Sequence, residues 1–468
     1  MPLTTSAVFP SAHRRQELRA LTALTLPILA GQLAQTGMGA VDTLMAGAVG
    51  AEDLAAVAVG SSFWVPVFLF LIGTLMATTA NVAHLFGGNR LSEIAPMVRQ
   101  SLWLALTLGT IAGLLLSHAD RVLVYFMDGN PDLQRQVQIY LNGVAWGMPA
   151  IALYQTLRYF CEGKGNTRPA MCVAILGLLC NIPLNYLFIY GGLGIEPMGG
   201  AGCGWATGIV MWIMLITLAT YVTLAPRYKD FELLRHWTAP KFEPIKDLLK
   251  LGVPIGIAIF MESSLFAIIA LLLTPLGETV VASHQVTLNF SSLTFMLPLS
   301  VSMAITIRVG QSLGSGSAHE ARYRALTGLI LTLSCAAVNF SVMMFGGHQI
   351  ADFYSNDLEV VTAASHLMII AALFQFSDAT QVSISGALRA YKDTRIPMVL
   401  TCLAYWCIGL PLGWTLAMTD TLTAAPLGAT GFWLALFMGL TVAATLLAWR
   451  FTHVSSMAIR KEDARLQN

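Results

Sequence analysis

Three carboxylates, Asp42, Glu262 and Asp378, are the only acidic side chains inside the long apolar stretches of this 468-residue chain. An acid at the centre of a membrane helix costs about 2.5–3.5 kcal/mol on insertion scales, so each is a functional candidate. The chemistry such groups offer is cation binding. Desolvation disfavours the ionised carboxyl group and a nearby cation favours it, so a proton, a metal ion and a cationic solute compete for the same oxygens. That competition couples one flux to another if the protein opens to one side of the membrane at a time.

Each acid also has a plainer reading. Asp42, in GMGAVDTLMAG, lies toward the outer end of its stretch, where a solvated or capping acid is ordinary. Glu262, in IAIFMESSLFA, follows Lys250 by 12 residues and falls near mid-depth, where a neutral, hydrogen-bonded structural acid is the competing reading. Asp378 stands among Ser377, Thr380, Gln381 and Ser383, which also fits a polar packing seam. The histidines His84, His284 and His366 fall in apolar stretches too, and packing by hydrogen bonds accounts for them more simply than proton relay.

The elements that must carry these acids are membrane spans. Hydrophobic residues make up 56% of the chain and charged residues 11%, far below the roughly 25% charged of soluble domains. A span needs about 20 apolar residues, and such stretches occur at residues 21–45, 54–86, 101–119, 137–157, 169–190, 204–225, 251–274, 279–307, 325–347, 360–388, 396–418 and 427–449. They are too long for barrel strands of about 9–11 residues and lack strict alternation, so they read as helices. The expected fold is an all-α membrane protein of about twelve transmembrane helices. Asp42 then belongs to the first span, Glu262 to the seventh and Asp378 to the tenth.

Basic residues set the expected orientation, because cytoplasmic loops are enriched in Lys and Arg. With the N-terminus inside, cytoplasmic loops collect Arg90, Arg99, Arg158, Lys164, Arg168, the run Arg227 to Lys250, Arg308, Arg322, Arg324, Arg389, Lys392 and Arg395. Only Arg121 and Arg135 fall on the other side. Both termini are expected in the cytoplasm, in a multi-pass protein of the cytoplasmic (inner) membrane.

A repeat divides the chain. A shift of 227 residues places Pro27 on Pro254, Gly87 on Gly314 and Thr167-Arg168 on Thr394-Arg395, and one residue more places Gly200 on Gly428. Two pseudo-symmetric six-helix lobes follow, residues 1–225 and 251–468, joined by a cytoplasmic linker at 226–250 that is rich in charge and Pro. Six spans per lobe keep both lobes in one orientation, and repeats of this kind place a substrate cavity between halves that rock about it. The same shift puts Asp42 on Ile269, Glu262 on Gln35 and Asp378 on Ile151, so the halves carry unequal charge. The first offers one acid and the second offers two on different helices, an arrangement suited to a cation.

Several function classes are excluded. No G-x-x-x-x-G-K-[ST] occurs and no soluble stretch has room for an ATPase domain, so energy must come from an ion gradient and no ATPase subunit is expected. No Lys or Arg lies in the spans as bounded above, unlike what an anion or phosphate-lipid carrier requires. Seven cysteines without C-x-x-C spacing read as small apolar fillers. GGAGCGWATG reads as a small-residue helix contact rather than a phosphate loop. The net charge of +1 says nothing about partners, because the charge asymmetry across the membrane carries the signal, and no nucleic-acid partner is expected.

Fragments throughout both halves resemble the multidrug and toxic compound extrusion (MATE) transporters, most closely their NorM branch: PILAGQLAQTGMGAVDTLMAG, LRYFCEGKGNTRPAM, CNIPLNYLFIYGG, GGAGCGWATG, VVASHQVTLNFSSLTFMLPLS, TIRVGQSLG, SGALRAYKDTRIPM and PLGATGFW. The resemblance implies two six-helix lobes around a central cleft, and secondary active efflux of cationic amphiphilic drugs and dyes in exchange for H⁺ or Na⁺. It implies Glu262 and Asp378 as the coupling-cation pair, able to hold Na⁺ as their metal, with Asp42 binding substrate or proton. Gln285 and Phe295 match positions near the cleft. Some relatives carry Tyr in place of Phe295. Asp357 falls in an outer loop that is doubly acidic in some relatives. No cofactor beyond the coupling ion is implied, and a monomer in the lipid bilayer supplies a complete cleft for small cationic molecules. The alternatives are a lipid-linked oligosaccharide flippase of similar architecture, which calls for a basic cleft, an integral-membrane enzyme, which calls for catalytic groups gathered at one interface, and a passive channel. Sequence leaves open Na⁺ against H⁺, the substrates, the stoichiometry, the oligomeric state and the prevailing conformation.

Overall fold

The structure, a computed structural model, describes residues 11–121, 123, 130–235 and 238–467. They are 88% helical with no strand among them. The chain runs through α1 (Ser11–Val49), α2 (Ala51–Leu75), α3 (Ala77–Gly87), α4 (Leu91–Ser117), α5 (Pro131–Gly163), α6 (Arg168–Tyr190), α7 (Gly202–Leu224) and the short α8 (Pro226–Lys229). It continues through α9 (Phe242–Leu273), α10 (Glu278–Gly314), α11 (Ala318–Tyr354), α12 (Leu358–Ala390), α13 (Arg395–Cys402), a π-helical turn at Leu403–Gly409, α14 (Leu410–Met418) and α15 (Ala429–Gln467). All-helical membrane architecture is therefore observed.

Ten helical rods among the described residues are long and apolar enough to cross a membrane. Residues 21–45 and 137–157 lie instead on α1 and α5, which are long but carry more polar groups. The reason is plain for α5. It is buried along most of its length, from Val137 to Gly163, so its neighbours rather than lipid are its solvent. Helices also run past the ends of the apolar stretches and take Arg158, Arg308 and Arg389 into continuous helix. These three arginines lie one residue beyond the apolar stretches yet within the same helices. Hydropathy stops where charge begins, whereas backbone hydrogen bonding does not.

Compactness divides the chain into an N-terminal unit, Pro27–Phe260, and a C-terminal unit made of Met261 onward together with the chain up to Leu26. α1 and α9 each begin in one unit and end in the other, and each holds a Pro, Pro27 and Pro254, at positions the repeat relates.

In the N-terminal unit α5 packs against α2, α4 and α7. Paired small residues allow it: a Cβ on Gly147 would come within 2.8 Å of the Gly208 Cα, and one on Gly113 within 2.6 Å of the Ala145 carbonyl oxygen. Backbones this close are the small-x-x-x-small contact of membrane helices, and the glycines of GGAGCGWATG take that role. The segment after α8 is held to α4, where Arg99 donates to the carbonyls of Leu233 and Glu232 at 2.9 Å and Trp103 donates to that of Thr238 at 2.8 Å. Lys164 lies beside that segment, its Nζ 4.3 Å from the Tyr228 ring centroid and 4.0 Å from that of Phe231.

In the C-terminal unit α12 is the central rod, against α10, α11 and α15. Hydroxyls tie it to α10: Ser302 donates to the Val382 carbonyl at 2.7 Å and Thr306 to that of Gly386 at 2.8 Å. The apolar core gathers Leu265, Phe374, Tyr405, Phe432 and Trp433. The first residues of α1 belong here. Buried Glu17 pairs with Arg308 and with Arg324, the latter also meeting Glu320 at 3.0 Å.

Candidate functional site

Asp42 sits on α1 within the N-terminal unit and is 5% exposed. Its Oδ1 accepts from Asn185 Nδ2 at 2.6 Å, and its Oδ2 accepts from Thr207 Oγ1 at 3.0 Å. Asn185 also donates to Asn181 Oδ1 at 3.1 Å. Asn181 and Asn185 are four residues apart on α6, so their amides share a face, and Thr207 projects from α7 against them. The solvated or capping reading of Asp42 does not hold, since three helices enclose it. Sequence reasoning missed Asn181, Asn185 and Thr207. The signal available was the i, i+4 amide spacing in CNIPLNY.

The C-terminal unit holds the other four candidates. Asp378, on α12, is 3% exposed, and Glu262, on α9, is half-buried. Each lies within Coulombic reach of the other, and Glu262 also of Arg389. Among the described residues neither carboxylate accepts a hydrogen bond. This is the opposite of Asp42, which accepts from two side chains. Gln285 is exposed and Phe295 half-buried, both on α10, and no hydrogen bond joins Gln285 to the acid pair among the described residues. Asp357 caps α12, accepting from the Glu359 amide at 2.9 Å. A cavity of about 630 Å³ in this unit, lined by Ser283, Glu359, Thr362, His366 and Thr430, lies at the helix starts and does not include the acid pair.

Of the histidines, His284 is buried and its Nδ1 accepts from Trp433 Nε1 at 3.2 Å, a packing role. His366 is exposed. Among the described residues no three His, Cys, Asp or Glu side chains gather as a metal-ligand set, so a cation at the acid pair must draw further oxygens from neutral groups.

A helical protein built from two related units of long apolar rods belongs among the helical bundles of the bilayer. The chain is a member of the MatE family, whose pattern matches residues 27–187 and again residues 254–415, in step with the internal repeat. It is 47% identical over 453 residues to multidrug resistance protein PmpM of Pseudomonas aeruginosa, covering 97% of this chain and 94% of that one. It is also 47% identical over 434 residues to multidrug resistance protein MdtK of Yersinia pseudotuberculosis, covering 93% and 95%. Among solved structures, the eukaryotic MATE transporter AtDTX14 superposes with a TM-score of 0.84 at 19% identity, covering 96% of this chain and 99% of its own. An outward-facing multidrug resistance MATE transporter superposes with a TM-score of 0.85 at 19% identity, covering 94% and 96%. At such identities the likeness speaks for the fold.

Proposed function

We propose that this protein is a secondary active multidrug efflux antiporter that exports cationic amphiphilic drugs and dyes in exchange for H⁺ or Na⁺. The observation that carries the reading is the pairing of Glu262 and Asp378, two carboxyl groups on different helices within Coulombic reach of each other and without hydrogen-bond donors among the described residues. With Arg389 within reach of Glu262 alone, two such acids leave room for a further positive charge between them. Asp42, by contrast, is held by Asn185 and Thr207, which suits a fixed group that binds a cationic substrate or a proton. The names of the relatives, multidrug resistance proteins, agree with a substrate class defined by charge and shape.

In this reading the protein is a transporter and not an enzyme, works as a monomer in the cytoplasmic membrane and has both termini in the cytoplasm. The test is efflux of a fluorescent cationic dye from vesicles, with the pH gradient and the Na⁺ gradient imposed separately. Glu262→Gln and Asp378→Asn should abolish the response to whichever gradient drives the wild type. Unchanged gradient-driven efflux in either variant would overturn the ion-site assignment, and dye movement indifferent to both gradients would point to a passive channel.

A further inference from the structure

Tyr405 combines three features that its packing alone does not require. It is 1% exposed, yet among the described residues its hydroxyl has no hydrogen-bond partner. Leaving a buried hydroxyl unpaired is unfavourable by more than an apolar ring in its place would be, so phenylalanine would fit the same site at lower cost. Next, Tyr405 stands in the π-helical turn Leu403–Gly409. Such turns insert a residue into an α-helix and recur at functional sites. This one is seated against α15, where a Cβ on Gly439 would come within 3.2 Å of the Ala404 carbonyl oxygen. Finally, the neighbouring Trp406 donates through Nε1 to the Met261 carbonyl at 3.1 Å, which ties the turn to α9 at the residue before Glu262. Both Glu262 and Asp378 lie within Coulombic reach of the phenol.

We infer that the Tyr405 hydroxyl is a third oxygen of the cation site formed by Glu262 and Asp378, brought there by the π-helical turn and registered by the Trp406 bond to Met261. The inference rests on the proposed function above. It supplies what the acid pair lacks, since hard cations collect several oxygens from carboxylates, carbonyls and other neutral groups. The charged groups around it are Glu262 on α9, Asp378 on α12 and, toward the end of α12, Arg389. With a cation bound, the phenol oxygen faces it as a neutral donor of electron density.

The experiment is Tyr405→Phe, which keeps the ring that packs with Leu265 and Phe374 and removes only the oxygen. Dye efflux is measured against the concentration of the driving cation, together with dye binding to the purified protein. The half-maximal cation concentration should rise about fivefold, the worth of one ordinary hydrogen bond, with dye affinity unchanged. Tyr391→Phe removes another partnerless buried hydroxyl and should leave cation dependence as in the wild type. Wild-type cation dependence in Tyr405→Phe, or a parallel loss of dye binding, would overturn the inference while leaving the acid pair in place. Wild-type behaviour of Glu262→Gln and Asp378→Asn would instead remove the reading beneath it.

Discussion

Asn185 holds Asp42 through a 2.6 Å hydrogen bond from α6 to α1, so the acid of the N-terminal unit is fixed in place while those of the C-terminal unit are not. Two carboxyl environments thus occur in one duplicated fold: Asp42 accepts from two side chains, whereas Glu262 and Asp378 accept from none among the described residues.

Asn185→Leu should therefore weaken both the support of Asp42 and the packing of α6 on α1. It removes one of the two side-chain donors and leaves Thr207 alone on the buried carboxylate. A hydrogen bond to a charged group contributes about 1.5–3 kcal/mol, so thermal stability should fall by that order and dye efflux should fall with it. The discriminating measurement is a double-mutant cycle with Asp42→Asn. Coupled residues show interaction energies of about 0.5–3 kcal/mol, and strictly additive losses would mean that the bond does no work.

Lys164 offers a test by pH outside the membrane spans. Burial against Phe160, Tyr228 and Phe231, with Arg227 beside it, pushes its ammonium group down to about 8 from the ordinary lysine value. Between that value and the unfolded value the unfolded chain binds more protons, so folding should strengthen as pH rises through that interval. Relative to Lys164→Met, which cannot titrate, the wild type should gain thermal stability from pH 8 to pH 10. The same rings also favour a cation electrostatically. A wild type that loses ground over that range would mean that this attraction outweighs burial.

The repeat and the acids were legible in the sequence because both are rare events: a sustained 227-residue register, and carboxylates among apolar residues. The support of the acids was not legible. Asn181 and Asn185 belong to a Pro-containing run that reads as ordinary helix, and their role emerges only where Thr207 of α7 closes on the same face. Tyr405 was invisible for a different reason: a tyrosine in a span is unremarkable, and nothing in LTCLAYWCIGL announces a change from α to π hydrogen bonding. Arg389 reads as a loop residue because hydropathy falls at its charge, although α12 continues through it and places it within reach of Glu262. What single residues signal by cost is readable, whereas what pairs of helices create by contact is not.

Glu17 makes a sharper case for the difference between buried and exposed ion pairs. It is 3% exposed and meets both Arg308 and Arg324, whereas Arg90 and Glu93 form their pair in open solvent. Glu17→Gln keeps the shape of the side chain, removes its charge and leaves two guanidinium groups facing a neutral amide, so it should lower stability by about 1.5–3 kcal/mol. Glu93→Gln should change stability far less, since exposed pairs contribute little. Salt separates the two further. Screening reaches exposed charges far more than buried ones, so raising ionic strength should erase what little Glu93→Gln changes and leave the loss at Glu17 nearly intact. Thermal unfolding of the three proteins at low and high salt measures both effects, and a Glu17 loss that vanishes in salt would place that carboxylate in solvent rather than in the packed end of the C-terminal unit.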